Sequence, residues 1–165
     1  MSRTELREHI FRMLFRVEFN NAEEMKEQEQ FYFDELEEAT GKDQEYILNK
    51  YRAIDEKKEE IDKLLNDVTE GWKTTRMNRV DLTILRLATY EIKWDEDVPT
   101  GVAINEAVEL AKKYGVQMVV RSSLNESEGT TVKEVVKMEK MLVTGVASDK
   151  NTARISVIGV EDKPG

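Results

Sequence analysis

The amino-acid sequence predicts an all-α fold with a β-rich C-terminal extension, and three features support this prediction. All 12 aromatic residues lie within residues 1–115, and the last 50 residues contain none. Valine follows the opposite trend, with six residues in the first 115 and ten in the last 50. Apolar residues recur with helical spacing through the first part, whereas alternating runs appear after Gly115. Because aromatic and straight-chain residues with few prolines suit helical cores and alternating valines suit strands, we predict a helical domain over 1–115 and a second unit over 116–165.

The first predicted helix spans residues 1–20. Ser2 and Glu5 have the spacing of a capping box at its start. Apolar side chains then form two stripes, and a helix of this kind either packs between neighbours or presents one stripe to a partner. The first stripe contains Leu6, Ile10, Met13, Leu14 and Val17, and the second contains Phe11, Phe15 and Phe19.

Four further helices complete the predicted bundle of about five. Gly41 is the expected stop of the second helix, and Asp43 and Asn78 are the expected caps of the third and fourth. Gly115 ends the fifth, since glycine adopts a left-handed cap most easily. We expect the fifth helix to turn Ile104, Val108 and Ala111 inward. The four predicted helices cover about 22–39, 43–68, 78–93 and 102–114.

The pattern changes to that of strands after Gly115. Val116, Met118 and Val120 alternate with other residues, which predicts a strand. Two more strands are predicted over 142–147 and 153–160, joined as a β-hairpin.

Composition excludes several classes of function. The chain has 34 acidic and 25 basic side chains, a formal charge of −9 at pH 7, no cysteine and one histidine, His9. These counts remove disulfides, thiolate chemistry and most metal and triad chemistry, and we find no phosphate-loop or hydrolase motif. We therefore predict no catalysis, no metal and no cofactor. With no apolar run of about 18 residues and no signal-peptide core, we expect a cytoplasmic protein without membrane association.

Basic and aromatic residues on the first helix form the candidate binding site. Arg3 and Arg7 share one face, and Arg12 and Arg16 form a second pair nearly opposite, beside Phe15. Guanidinium groups suit phosphates and an aromatic ring can stack on an unpaired base, so this helix is a candidate for binding single-stranded RNA. The net charge of residues 1–20 is only +1, so ion pairs within the helix are the alternative interpretation. Because the whole chain is acidic, any contact with RNA must be local.

Three segments of the chain resemble the NusB family of transcription antitermination factors. They are Arg3 with Arg7-Glu8 leading into Met13-Leu14-Phe15, the run Asp81–Glu91, and above all the 19 residues Asp97–Gly115. The resemblance implies an all-helical fold, a partnership with NusE, which is a small-subunit ribosomal protein, and joint binding of boxA RNA in a transcription elongation complex.

The resemblance also implies roles for individual residues. Arg3 and Arg7 would contact RNA, and Phe15 and Asp81 would belong to the surface for RNA and partner. The family's usual run of adjacent arginines is reduced here to Arg3 followed by Thr4 and Glu5, so we expect the chain alone to bind RNA weakly. Three other residues within the family motifs are interpreted as structural, namely Arg86, Asn105 and Glu106.

The family pattern stops near Gly115, where the final helix of NusB proteins is missing. Residues 116–165 instead resemble the junction between the catalytic and regulatory parts of aspartate kinases, through Val119–Ser123, Val143–Lys150 and Ile155–Gly165. The alternative function is thus a chimeric or truncated protein whose tail derives from an amino-acid-sensing domain, and a further alternative is a helical scaffold without function. A missing helix would expose apolar faces, so we expect a partial helix over 131–142, or homo-oligomerisation, to cover them.

Overall fold

The computed structural model describes residues 1–69, 73–120 and 130–132. In this part of the chain there are six α-helices, one short 3-10 turn at Thr74–Arg76 and one two-stranded antiparallel sheet. The helical prediction for residues 1–115 is confirmed, with six helices where about five were expected. The helices are α1 (Arg3–Val17), α2 (Ala22–Asp34), α3 (Gly41–Glu56), α4 (Lys58–Val68), α5 (Arg79–Trp94) and α6 (Thr100–Lys113), and the strands are β1 (Met118–Val120) and β2 (Thr130–Val132).

Polar side chains fix where the helices begin. Ser2 caps α1 in the predicted capping box, and the Asn78 side chain accepts a hydrogen bond from the backbone of Val80 at the start of α5, as predicted. The prediction for α3 was wrong by one turn. Thr40 caps that helix and Asp43 is its capping-box partner, so Gly41 begins α3 and does not end α2.

The single helix predicted over 43–68 is two helices. Lys57 has φ −94° and ψ 5°, which interrupts the helix between α3 and α4. Ile54 and Ile61, on either side of the break, are 1% and 0% exposed. Because the apolar repeat continues through the break, the spacing of apolar residues did not reveal it.

Helix α1 lies at the centre of the bundle and packs against α2, α3 and α5. It runs antiparallel to α5, since Arg7 near its start contacts Glu91 near the end of α5, whereas Glu18 just after its end contacts Arg79 at the start of α5. The start of α5 therefore lies beside the C-terminal end of α1. Fully buried side chains at the helix contacts include Ile10, Met13, Ile47, Ile54, Ile61, Leu82, Ile84 and Leu87.

Helix α6 packs on α5 through small side chains. Ala103, Ala107 and Ala111 are buried there, so Ala111 faces inward as predicted. Ile104 is 39% exposed, and its predicted inward orientation was wrong. The prediction followed the large apolar residues, whereas a close approach of two helices is made by alanines. Gly115 ends the helix at φ +67°, the predicted left-handed conformation.

The described part of the tail is short. Strand β1 pairs with β2 in the register Met118 to Val132 and Val120 to Thr130, which agrees with the strand predicted around 116–120. The partial helix predicted over 131–142 was wrong at its start, because Thr131 and Val132 lie in β2. The rest of that segment and the predicted strands over 142–147 and 153–160 lie outside the described residues.

Candidate nucleic-acid interface

Arg7 lies inside the bundle, where α1, α5 and α6 meet. It is 5% exposed, its Nε atom is 3.0 Å from both carboxylate oxygens of Glu91, and its Nη1 atom is 3.3 Å from Glu106. From α3, the Nζ atom of Lys50 lies 2.6 Å from Glu91 and 2.8 Å from Asp95. Buried charges require partners of this kind. The role in RNA contact expected for Arg7 is therefore corrected to a structural one, since its guanidinium is not accessible to a phosphate.

Arg86 is a second buried arginine, and it joins three helical segments. Its Nε and Nη2 atoms each lie 2.7 Å from an oxygen of Asp62 in a two-pronged contact, and it also contacts Glu18. Burial lowers the pKa of Arg86, but its hydrogen bond and ion pair with Asp62 outweigh burial and raise it. This geometry agrees with the structural interpretation of Arg86. The structural interpretation of Glu106 also agrees with its contacts, because Glu106 pairs with Arg7 and accepts a hydrogen bond from the Thr4 hydroxyl at 3.0 Å.

Arg12 is the exposed arginine in the middle of α1. Its side chain is 46% exposed, with Nη2 2.6 Å from Glu8 and Nε 3.3 Å from the hydroxyl of Tyr114. The hydrogen bond with Tyr114 and the charges around it raise the pKa of Arg12, although burial opposes them. These contacts use two of the five N–H donors of the guanidinium, so the group is held in place and can still bind a phosphate.

A row of four aromatic rings, the aromatic row, runs beside Arg12 from the core to the surface. Ring centroids are 4.6 Å apart between Tyr114 and Phe11, 6.4 Å between Phe11 and Phe15, and 5.0 Å between Phe15 and Phe19. Phe11 is 2% exposed, Phe15 is half-buried and Phe19 is 63% exposed. The aromatic row therefore offers ring surface to solvent at the C-terminal end of α1.

Lysines of α6 add positive charge to this edge of the bundle. Lys113 is 57% exposed and its Nζ atom is 2.5 Å from Glu8, while Lys112 pairs with Glu109 at 2.6 Å. Burial raises the pKa of Glu8, but the hydrogen bond from Lys113 and the charge of Arg12 outweigh it and lower the pKa. Glu8 thus remains ionised and orients two cations toward the surface.

Arg16 lies one turn after Arg12 on the same side of α1 and reaches α2. Its Nη1 atom donates to Gln28 at 2.6 Å, and its guanidinium carbon lies 4.9 Å from the centroid of the Tyr32 ring. The hydroxyl of Tyr32 is 2.5 Å from Nδ1 of His9. Arg16 is half-buried and has no carboxylate partner among the residues that the structure describes.

The remaining predicted site residues lie elsewhere. Arg3 is exposed, but it is nine residues from Arg12, so the two side chains leave α1 on opposite sides. Asp81 is half-buried in the first turn of α5, at the C-terminal end of α1, and burial raises the pKa of its carboxyl. The predicted set thus divides into Arg12, Phe15 and Arg16 on the outer side of α1, Asp81 at its C-terminal end, Arg3 on the opposite side, and Arg7 in the interior.

Sequence reasoning missed two parts of this edge. Tyr114 and Lys113 were interpreted only as parts of a family motif. The four-residue spacing from Phe11 to Phe19 does not indicate that Tyr114, 99 residues after Phe15, joins the aromatic row. Arg79 was not singled out, although its position one residue after the cap of α5 marks an exposed place.

The described residues contain neither a metal-binding cluster nor a membrane-spanning helix. No group of three or more His, Asp or Glu side chains there could hold a metal ion. Within the same residues, no helix has the length and apolar character needed to cross a membrane.

Comparison with known proteins identifies the class of this fold. Proteins named transcription antitermination protein NusB are 56% identical over 115 residues in Lachnoclostridium phytofermentans and 53% identical over 115 residues in Agathobacter rectalis. Each alignment covers 70% of this chain, and 87% and 88% of the respective relative. The solved structure of T. maritima NusB is 37% identical and superposes with a TM-score of 0.61, covering 70% of this chain and 80% of its own.

The model of the NusB family matches residues 4–121. The chain therefore belongs to the NusB family, whose relatives named above are transcription antitermination proteins. The match extends six residues beyond the predicted boundary at Gly115/Val116. Val116 packs against the helical core, and its N–H donates to the carbonyl of Ala111 at 2.7 Å. The resemblance of the tail to aspartate kinases stays a prediction.

Proposed function

We propose that this chain is a non-catalytic RNA-binding factor that acts with NusE on boxA-type RNA in a transcription elongation complex. Membership of the NusB family supports the general role in transcription antitermination. The observation that carries the RNA part is the position of the exposed Arg12 guanidinium one turn from the half-buried ring of Phe15 on α1.

The proposed contacts follow from the chemistry of single-stranded RNA. Arg12 donates to a phosphate through the N–H groups that Glu8 and Tyr114 leave free, and Lys113 contributes a second cation nearby. Phe15 offers a stacking surface to an unpaired base, which is a contact of about 1–3 kcal/mol that tolerates any base. Arg16 contributes charge from the α2 side of the helix.

The acidic body explains why a basic partner is needed. The chain carries a formal charge of −9, and residues 23–62 alone contain 15 acidic and six basic side chains. Such a surface repels RNA wherever arginines do not contact it directly. NusE, as a basic ribosomal protein, would share the RNA and offset this repulsion, and we propose Phe15 and Asp81 as contributors to the surface where the RNA and NusE meet.

The test is a titration of fluorescently labelled boxA-type RNA with the full chain, alone and with NusE, at several salt concentrations. We expect weak binding by the chain alone, tighter binding with NusE, and a logarithmic affinity that falls linearly with the logarithm of salt concentration. If the folded chain binds no RNA at low salt even with NusE present, the proposed function is wrong.

A further inference from the structure

We infer that residues 133–142 of this chain dock against its own helices α5 and α6, on the side of these helices that faces away from α1. The docking site, which we call the α5–α6 groove, is formed by Leu85, Ala88, Ile92, Ile104 and Val108. The segment begins directly after β2, two residues later than the helix that the sequence pattern predicts over 131–142. The inference is independent of the proposed function, since no RNA contact enters it.

Helix α6 contributes a stripe of partly exposed apolar side chains to this groove. Ile104 is 39% exposed and Val108 is half-buried. Because an α-helix has 3.6 residues per turn, both residues lie about 160° around α6 from Glu106. Glu106 contacts Arg7 of α1. The stripe of Ile104 and Val108 therefore points away from α1.

Helix α5 presents a second apolar stripe on the same side. Leu85 and Ile92 are both half-buried, and their seven-residue spacing places them within about 20° of each other around the helix, with Ala88 between them. Both lie about 100° or more from Arg86 and Glu91, the residues that contact α4 and α1. Because α5 packs beside α6, the two stripes form one groove.

The chain returns to this groove after the two strands. The N–H of Val116 donates to the carbonyl of Ala111 at 2.7 Å, so the chain entering β1 is held at the C-terminal end of α6. Met118 in β1 pairs with Val132 in β2, and β2 lies beside α6. Residue 133 therefore follows from a point close to the C-terminal end of α6.

The length and the apolar pattern of residues 133–142 suit the groove. Ten helical residues span about 15 Å, close to the distance along α6 from Lys113 back to Ile104. In a helix, the apolar residues of this segment would share one face, with Glu139 as the one charged residue among them. These apolar residues are Val135, Val136, Met138 and Leu142. The segment can therefore run back along α6 and cover both stripes.

Charge and covalent linkage favour this segment over a second copy of the chain as the occupant. Residues 133–142 contain three lysines and two glutamates, a net charge of +1, whereas the whole chain carries −9. Two copies at −9 each repel one another. The linked segment, in contrast, is held beside the groove at an effective concentration on the order of millimolar.

The test is the accessibility of single cysteines, because the chain contains none of its own. Ile104→Cys and Val102→Cys form a matched pair, since the two positions are 39% and 42% exposed and lie on opposite sides of α6. Each substitution is made alone in the full chain. The rate of reaction of the thiol with Ellman's reagent is measured at several protein concentrations.

Two double substitutions then address the segment itself. Val135→Asp with Val136→Asp places charge on its apolar face, and Val143→Asp with Val146→Asp adds the same charge outside it. Both are combined with each single cysteine. A variant that fails to fold is recognised because its cysteine at position 102 also reacts as fast as it does in urea.

We expect the cysteine at position 104 to react at least about tenfold more slowly than the cysteine at position 102, because it is reached only when the segment transiently leaves the groove. Val135→Asp with Val136→Asp should abolish this difference. Val143→Asp with Val146→Asp should preserve it.

Three outcomes would overturn the inference. Equal rates at positions 104 and 102 in the otherwise unchanged chain would show that the groove is open. Protection of position 104 that survives Val135→Asp with Val136→Asp would assign the groove to another segment. Protection that increases with protein concentration would assign it to a second copy. In each case the proposed function stands, because RNA binding is measured separately.

Discussion

The Nε atom of Arg7 lies 3.0 Å from both carboxylate oxygens of Glu91, and both side chains are almost completely buried. This ion pair sets the rotation of α1 in the bundle. Arg12 is five residues further along and leaves the helix about 140° away, so a buried Arg7 directs Arg12 to the surface. The interior ion pair and the proposed RNA surface are therefore two sides of one helix.

Replacing Arg7 tests its structural role. Arg7→Met leaves Glu91 buried with Lys50 as its main partner, so we expect a loss of about 3–5 kcal/mol in the free energy of unfolding. Urea denaturation of the full chain measures this loss. The exposed ion pair of Arg12 provides the control, and Arg12→Met should cost less than about 1 kcal/mol. Equal losses for the two variants would contradict the assignment.

The division between Arg12 and Arg3 can be tested by RNA binding. Arg12→Gln should weaken affinity for boxA-type RNA and reduce the salt slope by about 0.7, because a phosphate contact is lost. Arg3 lies on the opposite side of α1, so Arg3→Gln should change affinity less than twofold and leave the slope unchanged. A larger effect at Arg3 than at Arg12, measured by fluorescence anisotropy, would show that the RNA follows the other side of the helix.

Because His9 is partly buried, it should make the free energy of unfolding depend on pH. Burial lowers the pKa of His9 below its usual 6.5, and the nearby Arg12 charge lowers it further. The unfolded chain then binds a proton more readily than the folded one, so this contribution to stability is complete above about pH 6.5 and is lost as the pH falls through the lowered folded pKa. Urea denaturation at pH 5 to 8 should show that His9→Gln loses less stability than wild type on acidification. A constant difference between the two proteins at every pH would exclude this role.

Two glycines of α6 and its cap should respond to alanine with opposite signs. A Cβ atom at either Gly115 or Gly101 would meet nothing within 4 Å, so the effect of alanine on stability depends on the backbone conformation alone. Gly115 has φ +67°, and Gly115→Ala should cost about 1 kcal/mol. Gly101 lies within the helix, and Gly101→Ala should stabilise the protein by about 0.5 kcal/mol. Thermal denaturation of both variants provides the comparison, and the same sign for both would refute the explanation.

Local signals predicted much of the fold. The capping box of Ser2, the cap of Asn78 and the left-handed Gly115 depend on neighbouring residues only, and all three are present. The break at Lys57 could not be predicted, because no proline or glycine marks it and the buried face continues through it. The rotation of α6 was missed because alanines, not Ile104, form its contact with α5.

The candidate site depended on longer-range contacts, which the sequence shows less clearly. The sequence alone does not distinguish the four arginines of α1. Arg7 differs from Arg12 because its partner, Glu91, lies 84 residues further along the chain. Only the folded arrangement places Glu91 opposite one guanidinium and Tyr114 beside another. Helical spacing gave the faces of α1, but it could not show which face the other helices would cover.

The central position of α1 also affects when the protein can complete its folding during synthesis. Helix α1 leaves the ribosome first, but its partners Glu91, Glu106 and Tyr114 are made about 80 to 110 residues later. Contacts of such sequence separation form slowly and late. A nascent chain therefore exposes Arg7 together with the other arginines of α1. Arg7 becomes buried, and the exposed arginines are distinguished from it, only after α6 has been translated.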